Sequence, residues 1–168
     1  GAPGKGTVFK NFESDIESND FYRPTQATVS NHVKISANFI GINEDGTSVC
    51  ALGSASIQLG AIENFTFGGN TVAEGNVCYG TGITVKGGDN TALDLGTTLI
   101  SHNIFGLNYL GTAALTNGIS NTNGFSVADY YNSFKDIEIT DNISLGGFQI
   151  SNTGSFFKIQ GNKIGTDI

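Results

Sequence analysis

Tyr130, Tyr131 and Phe134 fall within five residues of one another in the segment DYYNSF, residues 129–134. Rings grouped this closely in a polar stretch form a platform for sugars, whose C–H faces stack on aromatic rings while their hydroxyls bond to neighbouring amides and hydroxyls. Asn132 and Ser133 supply such groups within the segment, and Glu138 and Thr140 follow just downstream. The competing reading is a loop pinned to the protein by its own rings, the commoner fate of a single loop aromatic. Tyr79 and Tyr109 are more isolated ring candidates.

Other chemistry-bearing residues are scattered. His32 and His102 have no Cys or His partners at metal-binding spacing and read as ordinary polar residues. Asp89 and Asp94 share a Gly-rich stretch, but the chain has no Asp-Asp pair of the kind acid–base hydrolysis uses. Asn43, Glu44 and Asp45 in INEDGT group oxygens that suit Ca²⁺, although the same residues are first of all a turn signal. No Ser-His-Asp signature, phosphate loop or dinucleotide-binding GxGxxG is visible. The expectation is therefore no catalytic set, no metal and no cofactor, with Ca²⁺ at residues 43–45 the one cation to consider. Cys50 and Cys78 lie about one repeat apart and are a candidate disulfide. Their different offsets from the preceding repeat Asn count against pairing and keep two separate buried thiols as the alternative.

The elements that would position these residues follow from composition and periodicity. The 168 residues suffice for one domain with a real core. Glycine is high at 24, and only 14% of residues are charged, with a net charge of −7. An acidic chain without a basic stripe is unsuited to nucleic acid. No stretch is apolar for long enough to cross a membrane, so membrane insertion is not expected. Abundant Gly, Asn and Thr with few charges suit short strands joined by tight turns.

One pattern, Φ-x-Φ-x-x-Asn (Φ apolar), recurs at Val33–Asn38, Phe65–Asn70, Ile137–Asn142 and Phe157–Asn162, with a Thr-led copy at Thr98–Asn103. Each copy follows a second alternating segment: 27–30, 56–59, 82–85, 124–127 and 147–150. Alternation at period two predicts strands with one buried face. Like residues at like points of successive strands predict a solenoid rather than a sandwich, because stacked coils bring them together. Asn38, Asn70, Asn103, Asn142 and Asn162 are accordingly expected to form a ladder. Lys34, Thr66, Leu99, Glu138 and Lys158 should form one outward column, and Ser36, Gly68, Ser101, Thr140 and Gln160 the next. These columns read as a solvated sheet face or as a hydroxyl- and amide-rich surface for sugars.

The segments 38–47, 103–112 and 162–167 (NFIGINEDGT, NIFGLNYLGT and NKIGTD) resemble secreted bacterial repeats of the form G-N-x-I-G-T-D-x-x-G-T. GNTVAEGN at 69–76 resembles the alternate rung of that family. The resemblance covers roughly residues 27–168 and is to right-handed parallel β-helix proteins, the pectate-lyase-like solenoids. It implies an all-β, right-handed parallel β-helix of about five coils, with residues 1–26 as an N-terminal cap and 27–168 as the solenoid, a fragment of a longer chain. Within the cap, Phe12–Phe21 reads as a short amphipathic helix.

This fold hosts lyases, hydrolases, adhesins and phage tailspikes, so it does not fix activity. Lyases of the family use Ca²⁺-binding acids beside a basic residue, whereas the only Arg here is Arg23, outside the repeat. With neither an acid pair nor an acid cluster beside a base in the repeat, the expectation is a non-catalytic extracellular segment, on a cell surface or virion, acting in adhesion or in glycan or receptor binding. The alternatives are a fragment of a polysaccharide lyase or glycoside hydrolase of the tailspike depolymerase type, and a purely structural spacer. The partners expected are a glycan or cell-surface receptor, together with a homotrimer or end-to-end contact with the rest of the parent chain.

Overall fold

Each alternating segment is extended, and each is too short to stand alone, so its backbone groups must be satisfied by neighbouring coils. A computed structural model describes residues 8–9, 16–17, 30–50, 56–59, 62–79, 82–86, 94–116, 124–129, 134–152 and 156–165. All strand pairs in it are parallel. The first sheet stacks Val8–Phe9, Phe39–Ile40, Val77–Cys78, Ile104–Phe105, Ile143–Ser144 and Lys163–Ile164. The second stacks Ile16–Glu17, Ser56–Leu59, Gly82–Lys86, Phe125–Asp129 and Phe148–Asn152. The third stacks Lys34–Ile35, Thr66–Gly68, Thr97–Ser101, Asp136–Thr140 and Phe156–Gln160. Ser30–Asn31 pairs separately with Ile62–Glu63. The chain visits the three sheets in the same order on every circuit, which is the arrangement of an all-β parallel solenoid. Helix among the described residues is limited to one 3₁₀ turn, Val72–Glu74.

Parallel pairing begins inside the segment expected to be a cap. Val8–Phe9 pairs with Phe39–Ile40, and Ile16–Glu17 with Ile57–Gln58. The helix expected over Phe12–Phe21 is thus replaced at Ile16 and Glu17 by a strand, because the exposed edge of the second sheet offers the backbone a ready partner. The rest of residues 1–26 lies outside the described residues.

The inward columns are apolar. Phe67, Ile100 and Ile139 lie in register and are buried, as are Phe65 and Ile137. The Phe65 and Phe67 rings sit 6.4 Å apart between centroids, and Phe67 is the same distance from Phe105. Thr98 occupies an inward slot in register with Ile137, and its hydroxyl is fully buried with no partner among the described residues. At the end of the stack, Phe156, Ile159 and Ile164 are exposed.

A second apolar cluster lies outside the coil, over the outer face of the first sheet. Residues 41–50 and 106–115 each fold into a small hairpin, closed by the antiparallel bridges Ile42–Val49 and Leu107–Ala114. The turns are alike: Gly46 N–H donates to Asn43 O, and Gly111 N–H to Asn108 O, both glycines having positive φ. The hairpins stack on each other, with Tyr109 N–H donating to Gly46 O at 2.9 Å. They bury Phe39, Ile42, Val77, Tyr79, Ile104, Leu107 and Leu115. Cover on both faces explains why strands of this sheet read as adjacent apolar pairs rather than as alternation.

An Asn ladder runs along the corner between the third and first sheets. The backbone N–H and Nδ2 of Asn38 both donate to Asn76 Oδ1, at 3.0 Å each. Asn76 bonds in the same way to Asn103, Asn103 to Asn142, and Asn142 to Asn162. The second Nδ2 proton bonds back to the strand of the coil before: Asn76 to Ile35 O, Asn103 to Phe67 O, Asn142 to Ile100 O and Asn162 to Ile139 O. The second rung therefore belongs to Asn76, not to Asn70. Asn70 is exposed, and its N–H donates to Glu74 Oε2. The chain inserts Gly69–Gly75, with its 3₁₀ turn, between strand and ladder position, so counting from the strand lands on the wrong Asn. Elsewhere the residue before the ladder Asn takes a left-handed conformation, as at Ala37, His102, Asp141 and Gly161.

Candidate functional site

The third sheet presents its outward columns to solvent, and the inserted loop rises beside them. Register places Lys34, Thr66, Leu99, Glu138 and Lys158 in one column. Gly68, Ser101, Thr140 and Gln160 form the next. Between this surface and the loop is a groove of about 410 Å³. Its walls include Asn70, Thr97, Ser101, His102, Glu138, Thr140, Asp141 and Lys158, with Leu99 as the apolar contribution.

The loop is held by Glu74. Its carboxylate accepts from Asn70 N–H and Thr71 Oγ1 and pairs with Lys34 across the coil. The Lys34 ammonium, followed by the Asn70 N–H, holds the Glu74 carboxyl below its ordinary range. On the far side Lys158 Nζ donates to Glu138 Oε2 at 3.0 Å. Lys34 and Lys158, at the two ends of this outward column, are thus engaged by carboxylates.

A Ser–His contact lies in the groove wall. Ser101 Oγ is 2.8 Å from His102 Nδ1, and Nδ1 is 2.9 Å from the Gly69 carbonyl oxygen. A carbonyl oxygen only accepts, so Nδ1 carries a hydrogen and donates. Ser101 therefore cannot hand its proton to Nδ1, as a nucleophile and its base would require. Instead Ser101 Oγ accepts from Thr140 Oγ1 at 2.9 Å. The network is structural: it fixes the imidazole in its left-handed corner. Glu138 is half-exposed and pairs with the Lys158 ammonium.

Of the residues singled out in the sequence, Glu138 lies in the groove, while Tyr130, Tyr131, Asn132 and Ser133 lie outside the described residues. Phe134 is buried in the core cluster, so its ring is not a surface platform. Tyr79 is buried beneath the hairpins, and Tyr109 is half-buried between them. Asp45 caps its own hairpin: Oδ1 accepts from Thr47 and Ser48 N–H, and Oδ2 from Ser48 Oγ, which together lower its carboxyl's proton affinity. Cys50 and Cys78 are buried thiols not joined as a disulfide. Asp89 lies outside the described residues, and Asp94 Oδ1 accepts from Gly96 N–H in a turn. Ser101, His102 and Asp141 were not singled out as a site. Their signal in the sequence was the outward column itself, since each lies at or next to the end of a third-sheet strand.

No protein-family model matches the chain, and no curated protein or solved structure matches it.

Proposed function

We propose that this chain is a non-catalytic, extracellular segment of a right-handed parallel β-helix, of about five coils with an N-terminal cap. It acts in surface adhesion through glycan or receptor binding. The secreted G-N-x-I-G-T-D-x-x-G-T repeats that its sequence resembles support this reading, with a cell surface or virion as its proposed location. The observation that carries it is the contrast between two outer faces of the solenoid. The first sheet is covered by hairpins, whereas the third keeps an open polar groove lined by hydroxyls, an amide, two carboxylates, an ammonium and an imidazole. Polar groups around a small apolar floor are what hydroxyl-rich ligands reward. The internal bonding of Ser101 and His102 supports binding over hydrolysis.

A glycan array run beside an activity assay on mixed polysaccharides tests the proposal. The expected result is retention of at least one glycan class with no release of reducing ends or unsaturated products. Product release, or an array without any bound glycan, overturns it.

A further inference from the structure

We infer that the groove on the third sheet selects neutral hexose units and rejects anionic sugars; this rests on the glycan-binding reading above. The inference comes from the bonding state of each group in the wall. The groove holds one ammonium, Lys158, against two carboxylates, Glu138 and Asp141. Lys158 is already paired with Glu138, and the nearby Lys34 is paired with Glu74. Among the residues lining the groove, the one ammonium is therefore already committed to a carboxylate, and a uronate or a sulfate would have to compete with Glu138 for it.

Acceptors make up much of what remains open in the wall. Among the described residues, the Asp141 carboxylate has no bonded partner, and Glu138 uses only Oε2. In the neutral imidazole, the Nδ1–H that the Gly69 carbonyl requires leaves His102 Nε2 as a further acceptor. Thr140 Oγ1 spends its proton on Ser101 and keeps its lone pairs. The donors are the Asn70 side-chain amide, the Thr97 hydroxyl, the N–H groups that Lys158 does not spend on Glu138, and the Ser101 hydroxyl, whose oxygen already accepts from Thr140 and lies beside Nδ1–H.

Leu99 provides the complement to these polar groups. It faces outward between Thr66 and Glu138 and is half-buried in the groove. A neutral hexopyranose has an apolar C–H face and a rim of hydroxyls that donate as readily as they accept. Such a unit can lie on Leu99 and donate to the acceptor wall without bringing in charge. The volume, about 410 Å³, falls in the range of roughly 300–1,000 Å³ usual for small-ligand sites.

The test is calorimetric titration of the full chain with a panel of neutral hexose tetrasaccharides (gluco-, galacto- and manno-configured) and their uronic acid counterparts, at low salt and neutral pH. At least one neutral tetrasaccharide should bind, and its uronate counterpart should bind at least about tenfold more weakly. Leu99→Ala should weaken neutral binding several-fold. Asp141→Lys, at an exposed corner, should narrow or reverse the preference, and thermal melts should show both variants folded. Uronates bound as well as neutral sugars overturn the selectivity. Neutral binding indifferent to both folded variants moves the site out of this groove while leaving glycan binding intact. A chain that binds no member of either series and no glycan on the array overturns the inference together with the functional reading beneath it.

Discussion

The backbone N–H and side-chain Nδ2 of Asn103 converge on one oxygen, Asn142 Oδ1, at 2.9 and 3.0 Å. Asn103 Oδ1 in turn accepts both equivalent donors of Asn76. A single buried amide thus joins the rungs on either side of it and also donates to Phe67 O. Removing it leaves two buried donors of Asn76 without their acceptor, each at about 1–3 kcal/mol before relaxation. Asn103→Ala should therefore destabilise by about 2–4 kcal/mol. Asn162→Ala, on the partly exposed last rung, should cost about half that or less, and the exposed Asn70→Ala less than about 0.5 kcal/mol. Denaturant unfolding of the three variants ranks them; equal midpoints would contradict the ladder account.

Gly68 is fixed by two constraints at once. Its φ is 91°, and an added Cβ would lie 1.9 Å from Ser101 O and 2.8 Å from Asn103 Oδ1. The contact is with backbone and with a ladder amide, neither of which can swing aside. Gly68→Ala should cost about 2–4 kcal/mol, combining left-handed strain with displacement of the neighbouring coil. Gly147, with open space around its Cβ position, is the control, and Gly147→Ala should leave the thermal midpoint nearly unchanged.

Thr98 offers the opposite sign. Its position in the repeat calls for an apolar residue, its Oγ1 is buried, and no described group bonds to it. Thr98→Val keeps the branched shape and removes an unsatisfied hydroxyl, which should stabilise the chain by about 1 kcal/mol. A measured loss of stability would mean that the hydroxyl has a partner.

The stacking of coils was legible because period-two alternation and recurrent Asn are local signals that the solenoid repeats. The inward column Phe67–Ile100–Ile139 and the outward column Leu99–Glu138–Lys158 follow directly from it. The second ladder rung was not legible. Pattern spacing assumes a constant corner, and the inserted 3₁₀ turn at Val72–Glu74 moves the rung from Asn70 to Asn76. Burial of Phe134 was equally hidden, since a ring at a loop–strand junction looks the same whether it folds in or out. The groove depends on which residues of three different coils share a wall with an inserted loop. Only the register of Ser101 with Thr140, and the reach of Gly69 to His102, make that visible.

Glu74 ties the groove's loop to the coil, and its carboxyl is held below the ordinary Glu range mainly by Lys34, then by Asn70 N–H. A carboxyl with a depressed folded-state pKa adds stability above its unfolded value, about 4.3. That contribution fades as pH falls through the lower folded value, because the folded state then takes up the proton too. The wild type should therefore exceed Glu74→Gln in thermal midpoint at pH 7, with the gap closing progressively below about pH 4.3. Asp45 has the same direction of shift but is present in both proteins, so the difference between them isolates Glu74. The pair is exposed to solvent, so the gap should also shrink in high salt. Gln keeps an oxygen for Asn70 N–H but loses the Lys34 ion pair. Part of the loop's anchoring should accordingly survive in the variant, and Glu74→Ala should lower the midpoint further than Glu74→Gln at neutral pH. Melting curves of the three proteins from pH 3 to pH 8 test this. A gap that stays constant across the range, or widens toward acid, would show that Glu74 acts by packing rather than by charge.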